Sequence, residues 1–158
     1  MTEDFKADRK SVSYTMRLQA SPEKVFPLLC PVREYEWIEP WECEIVYTQS
    51  GYAELGCIFK THFPVDVYTD TWVVSRYELN ERIEFVRTNA IRAMRFCVSL
   101  TGNADGTTTA RWEQIYTGMN PEGNEHISGI TNEKYVEDRK LTELRLNHYL
   151  VHAEMLRS

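Results

Sequence analysis

Hydrophobic and polar residues alternate along much of this chain, beginning close to the N-terminus. From Val12 to Leu18 every second residue is apolar. This period of two is typical of a strand with one buried face. We therefore predict a frayed N-terminal stretch, residues 1–10, followed by a single domain, residues 11–158.

The first strand is followed by a short apolar segment with helical signals. Pro22 fits the first position of a helix, and apolar residues run from Val25 to Cys30. Pro27 lies inside this segment, and Pro31 follows it. Because proline removes a backbone donor and clashes with the preceding turn, we expect this helix to be short, bent or broken.

The central part of the chain is dominated by strand patterns. The sequence Asn-Ala-Asp-Gly at positions 103–106 is a hairpin turn signal between two of the strands. Strands joined by such short turns form an antiparallel meander. The predicted strands are 43–47, 56–63, 69–77, 82–88, 94–100 and 107–117.

The C-terminal part predicts a loop followed by one long helix. Residues 118–132 include Pro121, Gly123 and Gly129, so we expect a loop there. Thr131 or Asn132 can then cap a helix that continues to about Leu156. Its predicted buried stripe, with spacings of three and four, is formed by Leu141, Leu144, His148, Val151 and Met155, and Leu146 and Leu150 widen it.

This order of elements predicts an α+β helix-grip fold. A curved antiparallel sheet of about six or seven strands would wrap around the C-terminal helix, with short helices between the first two strands. Such packing would leave a space between the helix and the concave face of the sheet.

The composition of the chain argues against several classes of function. The chain has 158 residues, of which 42% are apolar and 27% charged, and its net charge is −6. An acidic chain is a poor candidate for nucleic-acid binding, which needs clustered Lys and Arg. There is neither a signal-peptide pattern nor an apolar run long enough to span a membrane, so we expect a soluble cytoplasmic protein.

Two local motifs carry a family resemblance. Residues 20–26, Ala-Ser-Pro-Glu-Lys-Val-Phe, resemble the opening of polyketide cyclase-like and heat-shock-protein-activator-like members of the START/Bet v 1-like (SRPBCC) superfamily. Residues 105–112, Asp-Gly-Thr-Thr-Thr-Ala-Arg-Trp, are similar to the final hairpin of that superfamily. The resemblance covers residues 11–156, and it supports the fold more than any reaction.

The resemblance implies three kinds of function. The first is binding, or lipid-type transport, of a small hydrophobic or amphipathic molecule between sheet and helix. The second is polyketide cyclase or dehydratase chemistry, which would need at least two ionisable groups converging in the pocket. The third is a chaperone-activator-like interaction module with a filled interior and an exposed apolar or acidic patch.

Aromatic residues supply most of the predicted ligand contacts. Trp37 and Trp41 lie in an acidic segment after the first helix, where they could form a pocket wall, plug the end of the sheet or hold a cation. Trp72, Phe96 and Trp112 lie on strands and are core or ligand-facing residues according to which face is concave.

Polar candidates complete the predicted site: His62, Tyr116 and His148. His148 could be a satisfied core histidine or could point at a ligand. His148 and His152 are four apart, but Tyr149 stands where a zincin-type motif has its glutamate, so no metal site is predicted. We expect no cofactor, no nucleic-acid partner and no membrane span, and leave a homodimer open.

Overall fold

The fold is built on a seven-stranded antiparallel sheet. The computed structural model describes residues 4–64 and 67–157. Strand order across the sheet is β1-β7-β6-β5-β4-β3-β2. The strands are β1 Arg9–Leu18, β2 Glu44–Tyr47, β3 Ile58–Thr61, β4 Asp70–Glu78, β5 Arg82–Thr88, β6 Arg92–Gly102 and β7 Thr108–Gly118. The helices are α1 Pro22–Val25, α2 Pro121–Ser128 and α3 Asn132–His152. The predicted helix-grip fold is confirmed.

The sheet places one row of aromatic residues side by side. Phe96 on β6 pairs with Phe85 on β5 and with Gln114 on β7, while Trp72 on β4 pairs with Phe59 on β3. Because neighbouring strands in register point paired side chains to the same face, these rings share the buried face.

The first helix is broken, as predicted. After α1 the chain tightens into a 3₁₀ turn, Phe26–Leu28, which contains Pro27. A second 3₁₀ turn follows at Glu34–Glu36. This irregular path is what brings residues 34–41 to one end of the sheet, beside the helix.

The N-terminal strand begins earlier than the alternation suggests. Arg9 already pairs with Thr117 of β7, and the Asp8 amide donates a hydrogen bond to Asn124 Oδ1 at 2.9 Å. Residues 1–3 of the predicted frayed stretch lie outside the described residues.

The loop prediction for residues 118–132 is wrong, because α2 forms there. Asn120 accepts a hydrogen bond from the Gly123 amide at 2.8 Å, and Pro121 occupies the first turn. A Cβ on Gly123 would lie 1.8 Å from the Ile91 carbonyl oxygen. This glycine is therefore required by close packing of α2 rather than acting as a helix breaker.

The predicted buried stripe of the C-terminal helix is also wrong. Leu141, Leu144 and Val151 are 45%, 57% and 62% exposed. The buried residues of α3 are Tyr135, Thr142 and Leu146, of which the predicted stripe included only Leu146, one of the two leucines that widen it. The inward face includes polar side chains because it borders a cavity with polar walls, so apolar periodicity alone could not identify it. The helix also ends at His152, where Ala153 adopts a left-handed φ of 56°.

Candidate ligand site

A cavity of about 210 Å³ lies between the buried face of the sheet, α3 and the chain around the second 3₁₀ turn. Both apolar and charged side chains form its wall. The lining residues are Leu29, Glu34, Trp37, Ile38, Pro40, Trp41, Phe59, Phe63, Trp72, Phe85, Arg87, Phe96, Val98, Trp112, Gln114, Arg139, Thr142 and Arg145.

Strand aromatics form one continuous wall of this cavity. Phe59 stacks on Trp72 with ring centroids 5.2 Å apart. Phe85 meets Phe96 edge to face at 5.8 Å, and Phe96 meets Trp112 at 5.5 Å. Such contacts hold each ring in one orientation, so the wall is a preformed apolar surface.

Two loop tryptophans close the cavity at the end of the sheet. The Trp37 indole Nε1 donates to the Leu28 carbonyl at 2.9 Å, and Trp41 Nε1 donates to the Pro31 carbonyl at 2.8 Å. Trp37 is almost fully buried. The two hydrogen bonds anchor the rings to the chain after α1, and both rings line the cavity.

Three predicted polar contacts lie outside this wall. Tyr116 donates from its hydroxyl to Gln114 Oε1, so it reaches the cavity only through that amide. His62 is exposed, with Nδ1 2.9 Å from Thr69 Oγ1. His148 has Nε2 3.9 Å from Glu154 Oε1 near the end of α3.

The two histidines of the helical pair do stand together. The rings of His148 and His152 are 4.6 Å apart. In the part of the chain that the structure describes, no group of three His, Cys, Asp or Glu side chains is arranged to hold a metal ion.

Arg87 of β5 lines the cavity and forms an ion pair with an acidic side chain. Its Nε donates to Asp70 Oδ2 at 2.6 Å, and its guanidinium lies 4.3 Å from the Trp72 ring. Arg92 Nη2 and Asn89 Nδ2 donate to the same carboxylate at 3.0 and 2.9 Å. Asp70 is therefore the counter-ion that Arg87 and Arg92 share, and the cluster holds the Arg87 guanidinium beside the Trp72 ring.

Arg139 and Arg145 enter the cavity from α3 without such a partner. Neither side chain forms an ion pair or hydrogen bond within residues 4–64 and 67–157. The Arg139 guanidinium lies 5.7 Å from the Trp112 ring and 5.4 Å from the Tyr135 ring. Its buried Nε has no hydrogen-bond partner, and the same is true of Trp112 Nε1 and the Tyr135 hydroxyl.

Glu34 is the carboxyl group of the cavity wall. Burial raises its pKa to about 8, although Arg139 and Arg87 act in the opposite direction. At neutral pH this group is therefore mostly protonated and can donate a hydrogen bond. Burial likewise raises the pKa of the Tyr116 and Tyr135 hydroxyls.

The charged part of the wall could not be identified from the sequence patterns used above. Arg139 and Arg145 are hidden by the choice of Leu141 and Leu144 as the inward stripe. A usable signal exists in Tyr135, Thr142 and Leu146, whose spacing of seven and four marks one helix face. Glu34 belongs to the acidic segment noted above, where only its neighbours Trp37 and Trp41 stand out.

The fold can be compared with that of known proteins. No family model and no curated protein sequence matches this chain. Among solved structures, it is similar to the Zhui aromatase/cyclase from Streptomyces sp. R1128, with a TM-score of 0.68, 11% identity and coverage of 94% of this chain and 100% of the other.

Two further solved structures show a comparable likeness. Truncated norcoclaurine synthase from Thalictrum flavum gives a TM-score of 0.64 at 12% identity, covering 96% of this chain and 98% of the other. Ara h 8.0201 gives 0.61 at 12% identity, covering 91% and 99%. At these identities the likeness shows the fold alone, and the chain shares the helix-grip fold of these structures. Within the described residues, no helix is both long and apolar enough to cross a membrane.

Proposed function

We propose that this protein binds a small amphipathic molecule in the cavity between the sheet and α3. The observation that carries the proposal is that one cavity is lined both by a wall of aromatic rings and by charged and polar side chains. Pockets of this kind take their affinity from buried apolar area and their orientation from a few polar groups. Trp37, Trp41, Trp72, Phe96 and Trp112 would contact the apolar part of the ligand.

Filling the cavity from α3 tests this proposal. Thr142→Leu adds apolar volume inside, whereas Leu144→Met changes an exposed residue of the same helix. Binding is followed by the fluorescence of N-phenyl-1-naphthylamine, a neutral apolar probe, with the urea midpoint of each variant confirming that it folds. We expect Thr142→Leu to weaken binding and Leu144→Met to match the wild type. Equal binding by all three proteins would contradict the proposal.

Native mass spectrometry of the purified protein gives an independent test. Extraction with organic solvent followed by identification of the released compound would define the ligand class. We expect a small molecule with a flat apolar body. A polar compound without such a body, bound in stoichiometric amount, would contradict the aromatic wall as the binding surface.

Acid–base chemistry is a second candidate, because Glu34 and Arg139 share the cavity. The fold is also that of an aromatase/cyclase and of norcoclaurine synthase. Glu34 could take a proton from a carbon next to a ketone while a cation stabilises the enolate oxygen. No redox step and no co-reactant other than water is needed.

Deuterium exchange separates an enzyme from a binding protein. In D2O at about pH 8, where Glu34 is partly ionised, the methyl protons of 2-acetonaphthone are followed by NMR. If the protein is an enzyme of this type, the wild type accelerates exchange and Glu34→Gln does not. Equal rates with both proteins would leave ligand binding as the function.

The described interior does not match the interaction-module alternative, which expects a filled core. The cavity and its charged wall are the opposite of that expectation. We therefore base the experiments below on ligand binding.

A further inference from the structure

The polar wall of the cavity has an excess of donors. Arg139 and Arg145 contribute two positive charges with no carboxylate partner among the described residues. The third cavity arginine, Arg87, is held by Asp70. Both side chains are half-buried, but the Arg139 Nε–H is buried without an acceptor. A buried donor without a partner is costly, so this part of the wall lacks an acceptor.

Arg139 is the centre of this donor group. Its buried Nε lacks an acceptor, and the two rings beside it present Trp112 Nε1 and the Tyr135 hydroxyl, which also lack partners. The ring faces offer Arg139 a cation–π attraction, but they offer its N–H groups no acceptor. The indole N–H is likewise only a donor.

Glu34 does not fill the role of that acceptor. Its carboxyl has no hydrogen bond to Arg139 or to any other residue that the structure describes. Most of the population is neutral at pH 7, because burial outweighs the two arginines near it. The cavity as a whole therefore carries net positive charge at neutral pH.

We propose that the ligand is an aromatic acid whose carboxylate is bound by Arg139, with Arg145 as a second positive charge on the same wall. This inference rests on the proposed binding function and adds the chemical class of the ligand. A carboxylate accepts hydrogen bonds from a guanidinium in a fixed planar geometry, and these charge-assisted bonds are stronger than neutral ones. The flat apolar body would lie against Trp72, Phe85 and Phe96.

Two probes of the same shape test the charge requirement. 2-Naphthoate carries a carboxylate where 2-acetonaphthone carries a neutral acetyl group. Isothermal titration calorimetry at pH 7 and constant ionic strength measures both. We expect the wild type to bind 2-naphthoate at least about tenfold more tightly than the ketone.

Variants then locate the charge. Arg139→Gln should reduce 2-naphthoate affinity by about 10- to 100-fold and change ketone affinity by less than about threefold. Lys140→Gln removes the same charge from the next, exposed position of α3 and should bind both probes as the wild type does. Arg145→Gln should give a smaller, same-sign loss, and Arg139→Lys should restore part of the affinity.

Each result has a defined meaning. Retained ketone binding shows that a variant folds with its cavity intact. Equal affinity of the wild type for both probes, or equal losses in Arg139→Gln and Lys140→Gln, would overturn the aromatic-acid inference and leave the binding function standing. Binding of neither probe to the wild type would overturn the binding function itself.

Discussion

Two carboxyl groups between the sheet and α3 have opposite hydrogen-bonding environments. Asp70 is 1% exposed and accepts hydrogen bonds from Arg87, Asn89 and Arg92. Glu34 lines the cavity and has no hydrogen-bond donor among the described residues. A carboxylate that accepts hydrogen bonds from several protein donors stabilises the fold. A carboxyl group without such donors can still interact with a ligand in the cavity.

The arginines show the same contrast. Arg87 is fixed between Asp70 and the Trp72 ring, and so its charge is already compensated. Arg139 lies beside the Trp112 and Tyr135 rings, and its buried Nε–H has no acceptor. We therefore assign Arg87 to the support of the fold and Arg139 to the proposed ligand site.

The largest expected effect comes from removing the compensated carboxylate. Asp70→Asn leaves Arg87 and Arg92 buried without a counter-charge, and we expect the free energy of unfolding to fall by about 3–5 kcal/mol. Asp105→Asn is the control, because Asp105 pairs with Arg17 on the surface, where water and salt screen the pair, so its loss should change stability little. Urea denaturation measures both. A change below 1 kcal/mol in Asp70→Asn would show that the cluster is not structural.

A smaller effect of opposite sign is expected at Glu34. Its folded pKa of about 8 lies above the unfolded value, so its cost to stability grows as pH rises from about 4.5 and is complete above about 8. The charged or titratable groups around it are Arg139 of α3, Arg87 of β5 and the Cys43 thiol.

Glu34→Gln removes that cost. We expect the variant to be more stable than the wild type near pH 9 and equally stable near pH 4. The gain should be smaller than the loss in Asp70→Asn, because Glu34 is only half-buried and water screens part of its charge. The difference measured by urea denaturation across that range should follow one titration. A variant that is no more stable than the wild type near pH 9 would show that the carboxyl is not forced toward its neutral form.

The smallest expected effect compares two tryptophans of the wall. Trp72 Nε1 donates to Thr61 Oγ1 at 2.9 Å, whereas Trp112 Nε1 has no partner. Replacement by Phe removes a similar ring area from each, but only Trp72→Phe breaks a hydrogen bond. We expect Trp72→Phe to cost about 1 kcal/mol more in unfolding free energy. Equal costs would mean that Trp112 Nε1 has an equivalent partner in solution.

Much of the fold could be predicted from alternation alone. Met94, Phe96, Val98 and Leu100 share one face of β6, and all four are buried. Strand periodicity is easy to interpret because a central antiparallel strand has one solvent-exposed face and one buried face. Pro27 likewise marks the break after α1, since proline has a local and unavoidable effect on a helix.

The polar wall of the cavity could not be predicted from hydrophobic periodicity. Helix α3 presents Leu141 and Leu144 outward and Arg139 and Thr142 inward, so hydrophobicity points to the wrong face. Apolar residues usually mark the inward face of a helix, but this rule does not hold where the helix borders a cavity with polar walls. Glu34 is not distinguishable from its acidic neighbours until the turn at residues 34–36 places it beside α3.

A crystal structure with 6-bromo-2-naphthoate is the most direct test of the central claim that the cavity binds an aromatic acid. Anomalous scattering locates the bromine, and the carboxylate is found at the other end of the rigid ring. We predict the bromine among Phe59, Phe85 and Phe96, with the carboxylate within hydrogen-bond distance of Arg139. A naphthyl group bound instead in the outer groove beside Phe26 and Tyr77, or one with its carboxylate pointing away from α3, would contradict the account.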